Sequence, residues 1–292
     1  MSQISKIVVL GGDCRQYFMV EQLHRLNFPV AVYGLDMKDL KPVIYEASSI
    51  TEAMSFGNIV ICPVPFSKNC KNIFAHSIID DLTIDDFLSH LTENHVLYGG
   101  CIPNFIKEFC MKKKVHCFDL MKDESVVIAN AVATAEGAIL EAIKLSAITL
   151  HKSQCLIYGY GRCAKILADK LKGLSAQVTI TARSKEALSM AAAYGFQTIP
   201  LADINKYLAE FPFIFNTVPS LIMDAASLSY VQKDVTIIDI ASAPGGINYE
   251  YCKQMNINAH LCLALPGKYA AKTSANILNE ALLSDLSSLI SS

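Results

Sequence analysis

The segment 154–183 constrains the fold most, because it reads as one complete strand–turn–helix–strand unit. An apolar run at 155–158 predicts a strand, and Gly159, Gly161 and Ala164 follow it at the spacing G-x-G-x-x-A. Gly159 permits a tight turn, Gly161 lets a pyrophosphate approach the backbone, and Ala164 lets the helix pack closely on the sheet. The pattern predicts a Rossmann-type dinucleotide-binding unit, with phosphates at the helix N-terminus.

The second strand of this unit, at 178–182, is followed by Arg183 and Ser184. At this place an NAD enzyme normally carries an acid that accepts hydrogen bonds from the ribose 2′-hydroxyl. A guanidinium instead binds a 2′-phosphate through two hydrogen bonds and stacks on adenine, so the sequence predicts NADP as cofactor. The alternative interpretation is an ordinary strand–helix turn with a surface arginine.

The length of 292 residues accommodates two domains, and 52% hydrophobic with 18% charged residues is typical of a soluble globular protein. The formal net charge of -2 argues against nucleic acid or an anionic membrane as the main partner. The short apolar run before Gly11 predicts a first strand and not a signal peptide, and no uncharged apolar stretch reaches membrane-spanning length. We therefore expect a cytoplasmic protein.

Ten cysteines occur without any C-x-x-C motif. Most lie in strand or helix patterns, so they are interpreted as small buried hydrophobes in a reducing compartment. His116 and Cys117 form the only adjacent His/Cys pair, and no second pair lies at ligand spacing. No metal site is expected.

Candidate strands alternate with helix-compatible segments along the whole chain, which predicts an α/β protein with two doubly wound parallel-sheet domains. We expect an N-terminal substrate or catalytic domain at 1–130, a long bridging helix at 131–150 and the Rossmann domain at 151–272. A helix at about 201–209 is also expected in the Rossmann domain. The final helix, 273–292, is assigned to the N-terminal domain.

The N-terminal domain begins with its own glycine turn, Gly11-Gly12-Asp13, followed by Arg15 and Gln16. This turn lacks the dinucleotide spacing, so no second nucleotide is expected. Ligands of doubly wound sheets bind beyond the carboxyl ends of strands, which makes these polar residues candidates for substrate binding. The alternative is an Asp13 cap followed by a solvated first helical turn.

Further polar and turn residues lie at predicted strand ends or in the bridging helix. Glu136, in an otherwise apolar helix, is either a salt-bridge or cap residue or a carboxylate facing a cleft. Three loops fall on the edge where a nicotinamide would lie, and their candidate cofactor residues are Thr217, Val218, Pro219, Ala241, Ser242, Leu265, Pro266 and Gly267.

In this order the motifs resemble the family of dipicolinate synthase A subunits. The motifs that carry the resemblance are Gly11-Gly12-Asp13 with Arg15-Gln16, Asn130 with Thr134 and Glu136-Gly137, Gly159-x-Gly161-Arg162, Ala182-Arg183-Ser184, Asn216-Thr217-x-Pro219, Asp239-x-Ala241-Ser242-x-Pro244-Gly245-Gly246, and Leu265-Pro266-Gly267 with Lys272-Thr273. Two expected prolines are replaced by Ala133 and Ala271, which changes backbone rigidity more than chemistry.

The resemblance implies NADP-dependent oxidation of dihydrodipicolinate, or its hydrated precursor, to dipicolinate during sporulation. It further implies a second, flavoprotein-like subunit, and the long apolar helix favours a homo-oligomer. The resemblance also makes Arg162 a candidate cofactor-binding residue.

The substrate would be a small dicarboxylate. Arg15 and Gln16, with Lys268 or Lys272, would hold its two ends. Asn130 and Thr134 would orient the ring. Glu136 is the first candidate for general base, Asp13 the second, and Lys272 a further catalytic candidate.

Other interpretations stay open. The layout also resembles shikimate, methylenetetrahydrofolate and alanine dehydrogenases, and a non-catalytic NADP-binding sensor would carry the same turn. A Tyr-x-x-x-Lys pattern at Tyr249 and Lys253 resembles short-chain dehydrogenases, but it lies in a predicted outer helix and is interpreted as coincidence.

Overall fold

The structure is a computed structural model that describes residues 6–36, 44–77 and 79–291. The described residues form two compact units. The first unit runs to Ala129 and resumes at Ala270, and the second comprises Asn130–Tyr269.

The first unit contains a six-stranded parallel sheet in the order β3-β2-β1-β4-β5-β6. Its strands are β1 (Ile7–Leu10), β2 (Val30–Tyr33), β3 (Tyr45–Glu46), β4 (Ile59–Ile61), β5 (Val96–Gly99) and β6 (His116–Asp119). Its helices are α1 (Cys14–Arg25), α2 (Ile50–Phe56), α3 (Ile84–His90) and α4 (Asn104–Lys113), with a 3₁₀ turn at Leu120–Lys122. The central strands β1 and β4 are wholly buried, as expected for a sheet covered by helices on both faces.

The long helix α5 (Glu124–Leu145) begins earlier and ends earlier than the predicted 131–150. Asp123 explains the start, because its carboxylate accepts a hydrogen bond from the Ser125 amide at 2.8 Å. By length and composition α5 is apolar enough to cross a membrane, and half of its most apolar window is buried in the protein. Its alanines, such as Ala135 and Ala138, pack in the core of the second unit.

The second unit contains another six-stranded parallel sheet, in the order β12-β11-β10-β7-β8-β9. Its strands are β7 (Gln154–Tyr158), β8 (Gln177–Ala182), β9 (Gln197–Pro200), β10 (Phe213–Asn216), β11 (Thr236–Asp239) and β12 (Asn258–Leu261). Its other helices are α6 (Arg162–Gly173), α7 (Lys185–Ala193), α8 (Ala225–Leu228), α9 (Tyr249–Gln254) and α10 (Leu265–Tyr269). The segment predicted as a helix at 201–209 instead forms 3₁₀ turns at Leu201–Lys206 and Leu208–Glu210, because Tyr207, with a φ of -119°, interrupts it.

Numbered within each unit, both sheets have the strand order 3-2-1-4-5-6. The direction of winding reverses between β1 and β4 in the first unit and between β7 and β10 in the second. Ligands of such sheets bind at the carboxyl ends of the strands beside this reversal. The predicted α/β class with two doubly wound parallel sheets is confirmed.

The last helix, α11 (Ala271–Ser291), packs against α1 in the first unit. Leu278 and Leu282 share an apolar cluster with Met19 and Leu23 of α1. The side-chain amide of Asn279 donates to the Met19 carbonyl at 3.1 Å. The chain therefore completes its first unit with its final helix.

Candidate functional site

The glycine turn of the second unit is held between two neighbouring strands. Gly159 has a positive φ of 90°, and its amide donates to the Thr181 carbonyl of β8 at 2.8 Å. From the other side, the Thr217 hydroxyl donates to the Tyr158 carbonyl at 2.7 Å. A Cβ on Gly159 would lie 2.8 Å from that hydroxyl oxygen, so only glycine fits. Thr217 thus positions the turn.

Gly161 leaves the first turn of α6 open. It is the N-cap residue and supplies no side-chain cap, and a Cβ built on it would meet no atom within 4 Å. Gly161 therefore supplies no side-chain oxygen to the first turn of α6. An uncapped helix N-terminus with space above it fits a pyrophosphate.

The equivalent turn of the first unit is closed by its own side chains. Asp13 caps α1 by accepting from the Arg15 amide at 2.9 Å, and the Gln16 side chain accepts from the Asp13 amide at 2.9 Å. A Cβ on Gly12 would lie 2.4 Å from Gln16 Oε1. A phosphate at this turn would have to displace both side chains.

Arg183 follows β8, next to the strand that leads into the open turn. Its side chain is exposed, and among the residues that the structure describes no carboxylate forms an ion pair with it. Ser184 caps α7, because its hydroxyl accepts from the Ala187 amide at 3.3 Å. The guanidinium is therefore presented to solvent at the place where a ribose would lie.

Arg15 is the buried cation at the carboxyl edge of the first sheet, with 6% of its surface exposed. Its Nη2 donates to Asp13 Oδ2 at 2.7 Å and also contacts the Val64 carbonyl, which follows β4. Burial raises the pKa of Asp13, but the hydrogen bonds and charge of Arg15 outweigh it, so the pKa is lowered overall.

The two carboxylates predicted as general bases are both engaged. Asp13 is bound to Arg15, and a carboxylate with a lowered pKa is a weak base. Glu136 is 60% exposed on its side chain and forms an ion pair with Lys170 at 2.8 Å. This geometry favours the salt-bridge interpretation of Glu136 and argues against a role as base.

Lys268, predicted at the substrate, is also engaged in the structure. Its ammonium and the Tyr269 hydroxyl both bind the buried Glu141 carboxylate. These hydrogen bonds lower the pKa of Glu141 and raise that of Lys268. Lys272, in the first turn of α11, is exposed.

The predicted loop Leu265-Pro266-Gly267 is the start of the short helix α10. Leu265 is 2% exposed, and a Cβ on Gly137 of α5 would lie 2.9 Å from its Cβ. The Leu265 side chain is therefore a core contact of the second unit.

Asn130 and Thr134 lie one turn apart on α5. The Thr134 hydroxyl donates to the Asn130 carbonyl at 3.0 Å, and Asn130 is 8% exposed. Of the remaining candidates, Val218 is half-buried, Ala241 is buried, and Pro219 and Ser242 are exposed.

Asp239 is a site residue that sequence reasoning did not select. Its carboxylate, at the end of β11, is 0% exposed. Oδ1 accepts from Asn216 Nδ2 and the Ala241 amide, each at 2.9 Å. Oδ2 accepts from the Gly246 amide at 2.7 Å and the Tyr249 hydroxyl at 2.8 Å. Two sequence signals mark it: it closes the apolar strand TIID, and it begins the motif Asp239-x-Ala241-Ser242-x-Pro244-Gly245-Gly246.

The hydrogen bond to Asp239 also gives Tyr249, the tyrosine of the Tyr-x-x-x-Lys pattern, a structural role. Burial, followed by the hydrogen bond to Asp239, raises the pKa of Tyr249 well above its usual value. Tyr249 is therefore a structural donor.

Among residues 6–36, 44–77 and 79–291, no group of His, Cys, Asp and Glu is arranged to hold a metal ion.

The strand order 3-2-1-4-5-6 and the open glycine turn place the second unit in the Rossmann fold class. Two solved structures with low sequence identity to the chain share its fold. A transhydrogenase from Sinorhizobium meliloti has 12% identity and a TM-score of 0.68, covering 98% of this chain and 94% of that one. An L-alanine dehydrogenase has 13% identity and a TM-score of 0.61, covering 95% and 88%.

Residues 6–121 match the family described as the N-terminal domain of the dipicolinate synthase A subunit. The dipicolinate synthase A subunit of Bacillus subtilis (strain 168) is 27% identical over 280 residues, covering 95% of this chain and 94% of the relative. The solved A subunit from Bacillus halodurans has 26% identity and a TM-score of 0.86, covering 98% and 99%. The solved A subunit from Bacillus subtilis has 25% identity and a TM-score of 0.85, covering 100% and 98%. The resemblance drawn from the motifs is confirmed.

Proposed function

We propose that this protein is the NADP-dependent oxidoreductase subunit that converts dihydrodipicolinate, or its hydroxytetrahydro precursor, to dipicolinate during sporulation. The observation that carries the proposal is the open turn at Gly161 beside the exposed Arg183. Full-length similarity to the dipicolinate synthase A subunit supports the choice of reaction.

The residues of the second unit fit a dinucleotide. Gly159 and Gly161 would receive the pyrophosphate at the N-terminus of α6, and Arg183 would bind the 2′-phosphate. When bound, the cofactor supplies the hydride acceptor. Thr217 would keep the turn in place through its bond to the Tyr158 carbonyl.

Arg15 is the preferred group for a substrate carboxylate. Asp13 and the Val64 carbonyl hold its guanidinium in one orientation, so less side-chain entropy is lost when an anion binds. Lys272 remains our candidate for a second cation, and Gln16, Asn130 and Thr134 for orienting the ring. Because formation of an aromatic ring is strongly downhill, correct positioning matters more than a strong base.

The relatives are named as one lettered subunit of their synthase, which supports a partner subunit for this chain. We propose that a second, flavoprotein-like subunit completes the enzyme in the cytoplasm. A coupled assay tests this proposal: the purified chain, NADP and a dihydrodipicolinate precursor are followed for reduced cofactor and dipicolinate, with and without the second subunit. Binding of NADP without dipicolinate under either condition would contradict the assigned reaction and favour another dehydrogenase or a sensor.

A further inference from the structure

The buried Asp239 accepts hydrogen bonds from four donors, which is the pattern of a carboxylate anion. Three of its four hydrogen-bonding neighbours are N–H groups, which only donate, and the Tyr249 hydroxyl donates as well. The chain packs tightly around it, since a Cβ on Gly245 would lie 2.6 Å from Oδ2. Each carboxylate oxygen therefore accepts two hydrogen bonds.

This anion has no counter-ion. Among the residues that the structure describes, no lysine, arginine or histidine forms an ion pair with Asp239. The buried Asp119 of the first unit differs, because Lys107 meets it at 2.6 Å. A carboxylate is the side chain that accepts from four donors without opposing any of them, and the charge that it brings here is not balanced by an ion pair. The loops thus place an uncompensated negative charge at the end of β11.

The strand order places Asp239 in the half of the sheet that is left for the nicotinamide nucleotide. A doubly wound sheet binds one nucleotide of a dinucleotide on each half. Gly159, Gly161 and Arg183 occupy the half formed by β7 and β8, which leaves the half with β10 and β11 for the nicotinamide nucleotide. Asp239 ends β11 at the carboxyl edge of that half.

We infer that Asp239 is a positioning residue whose negative charge makes the second unit bind oxidised nicotinamide cofactor in preference to the reduced form. This inference rests on the proposed function and extends it. The oxidised nicotinamide ring carries a positive charge and the reduced ring carries none. A fixed anion in a low-dielectric site attracts only the charged ring, and fixed dipoles hold the anion ready.

The test is the dissociation constant of NADP and of NADPH, measured by calorimetry on the wild type, Asp239→Asn and Tyr249→Phe. We expect Asp239→Asn to weaken NADP about tenfold more than NADPH. Tyr249→Phe removes one donor to the same carboxylate but keeps the charge, so the ratio of the two constants should stay at the wild-type value. Equal weakening of both forms by Asp239→Asn, or loss of both, would overturn the inference and leave Asp239 as a loop support only.

Folding is checked by thermal unfolding of each variant. If Asp239→Asn alone does not fold, the double variant Asp239→Asn with Tyr249→Phe is used, because it removes the hydroxyl donor that would oppose the new amide. The ratio of the NADP and NADPH dissociation constants is then measured on the double variant. A wild-type protein that binds neither form contradicts the proposed function itself. The inference alone fails if the wild type binds the cofactor and Asp239→Asn leaves the ratio of the NADP and NADPH dissociation constants unchanged.

Discussion

Asp13 holds Arg15 through both carboxylate oxygens, with Nε at 2.9 Å from Oδ1 and Nη2 at 2.7 Å from Oδ2. The two side chains are 11% and 7% exposed. The pair thus fixes a cation at the carboxyl edge of the first sheet, where its guanidinium would meet a substrate carboxylate.

Breaking this pair from one side should destabilise the first unit. Arg15→Met leaves the Asp13 carboxylate buried without its partner, and we expect a loss of about 3–5 kcal/mol in the free energy of unfolding. The double variant Asp13→Asn with Arg15→Met removes both charges and should recover most of that loss. Urea unfolding of the single and double variants measures this coupling. Additive effects would contradict a coupled pair.

The same pair predicts how stability depends on pH. The folded-state pKa of Asp13 lies below its ordinary value of 3.8, so its contribution is present above 3.8 and is lost as pH falls through the lower, folded pKa. In thermal unfolding, the melting temperature should fall between about pH 5 and pH 2, and it should fall less in Asp13→Asn than in the wild type. Identical slopes for the two proteins would show that Asp13 does not contribute.

Gly161→Ala tests the open turn without disturbing the fold. The backbone at Gly161 has φ -82° and ψ -167°, which alanine adopts readily, and the added methyl meets no protein atom within 4 Å. We therefore expect near wild-type stability and a loss of NADP binding of at least about tenfold, because the methyl occupies the phosphate space. Calorimetry and thermal unfolding measure the two effects.

Gly173→Ala is the matched control at the other end of α6. A Cβ there also meets nothing within 4 Å. We expect normal NADP binding and a gain in stability of about 0.4–1 kcal/mol. Normal binding by Gly161→Ala would contradict the assigned phosphate site.

Arg183→Asp should separate NADP from NAD. Loss of a charge-assisted contact to the 2′-phosphate, and repulsion by the new carboxylate, should weaken NADP roughly 10- to 100-fold. NAD lacks that phosphate and should bind as well as before or better. Competition between the two cofactors measures the preference, and an unchanged preference would place the 2′-phosphate elsewhere.

Regular apolar patterns made the fold predictable. The strand at 155–158 could be predicted because buried parallel strands are nearly continuous apolar runs. The glycine turn could be predicted because it requires residues without side chains, Gly159 and Gly161, at a fixed spacing. The start of α5 was not predicted, since Asp123 acts as a cap through a geometry that composition does not reveal.

The site was less predictable because the sequence does not show which side chains are already paired. Glu136, Lys170, Glu141 and Lys268 are far apart in the chain, yet they form two ion pairs that occupy predicted site residues. Asp239 was overlooked for the same reason: its four donors converge only when the loops after β10 and β11 fold together.

The most direct test of the proposed function is dipicolinate formation by the purified chain with its partner subunit, supplied with NADP and a precursor generated in place. Terbium luminescence follows dipicolinate while absorbance follows the reduced cofactor. We expect equal amounts of both products, preferentially with NADP, and a loss of that preference in Arg183→Asp. Normal NADP binding with no dipicolinate formed under any condition would contradict the proposed reaction.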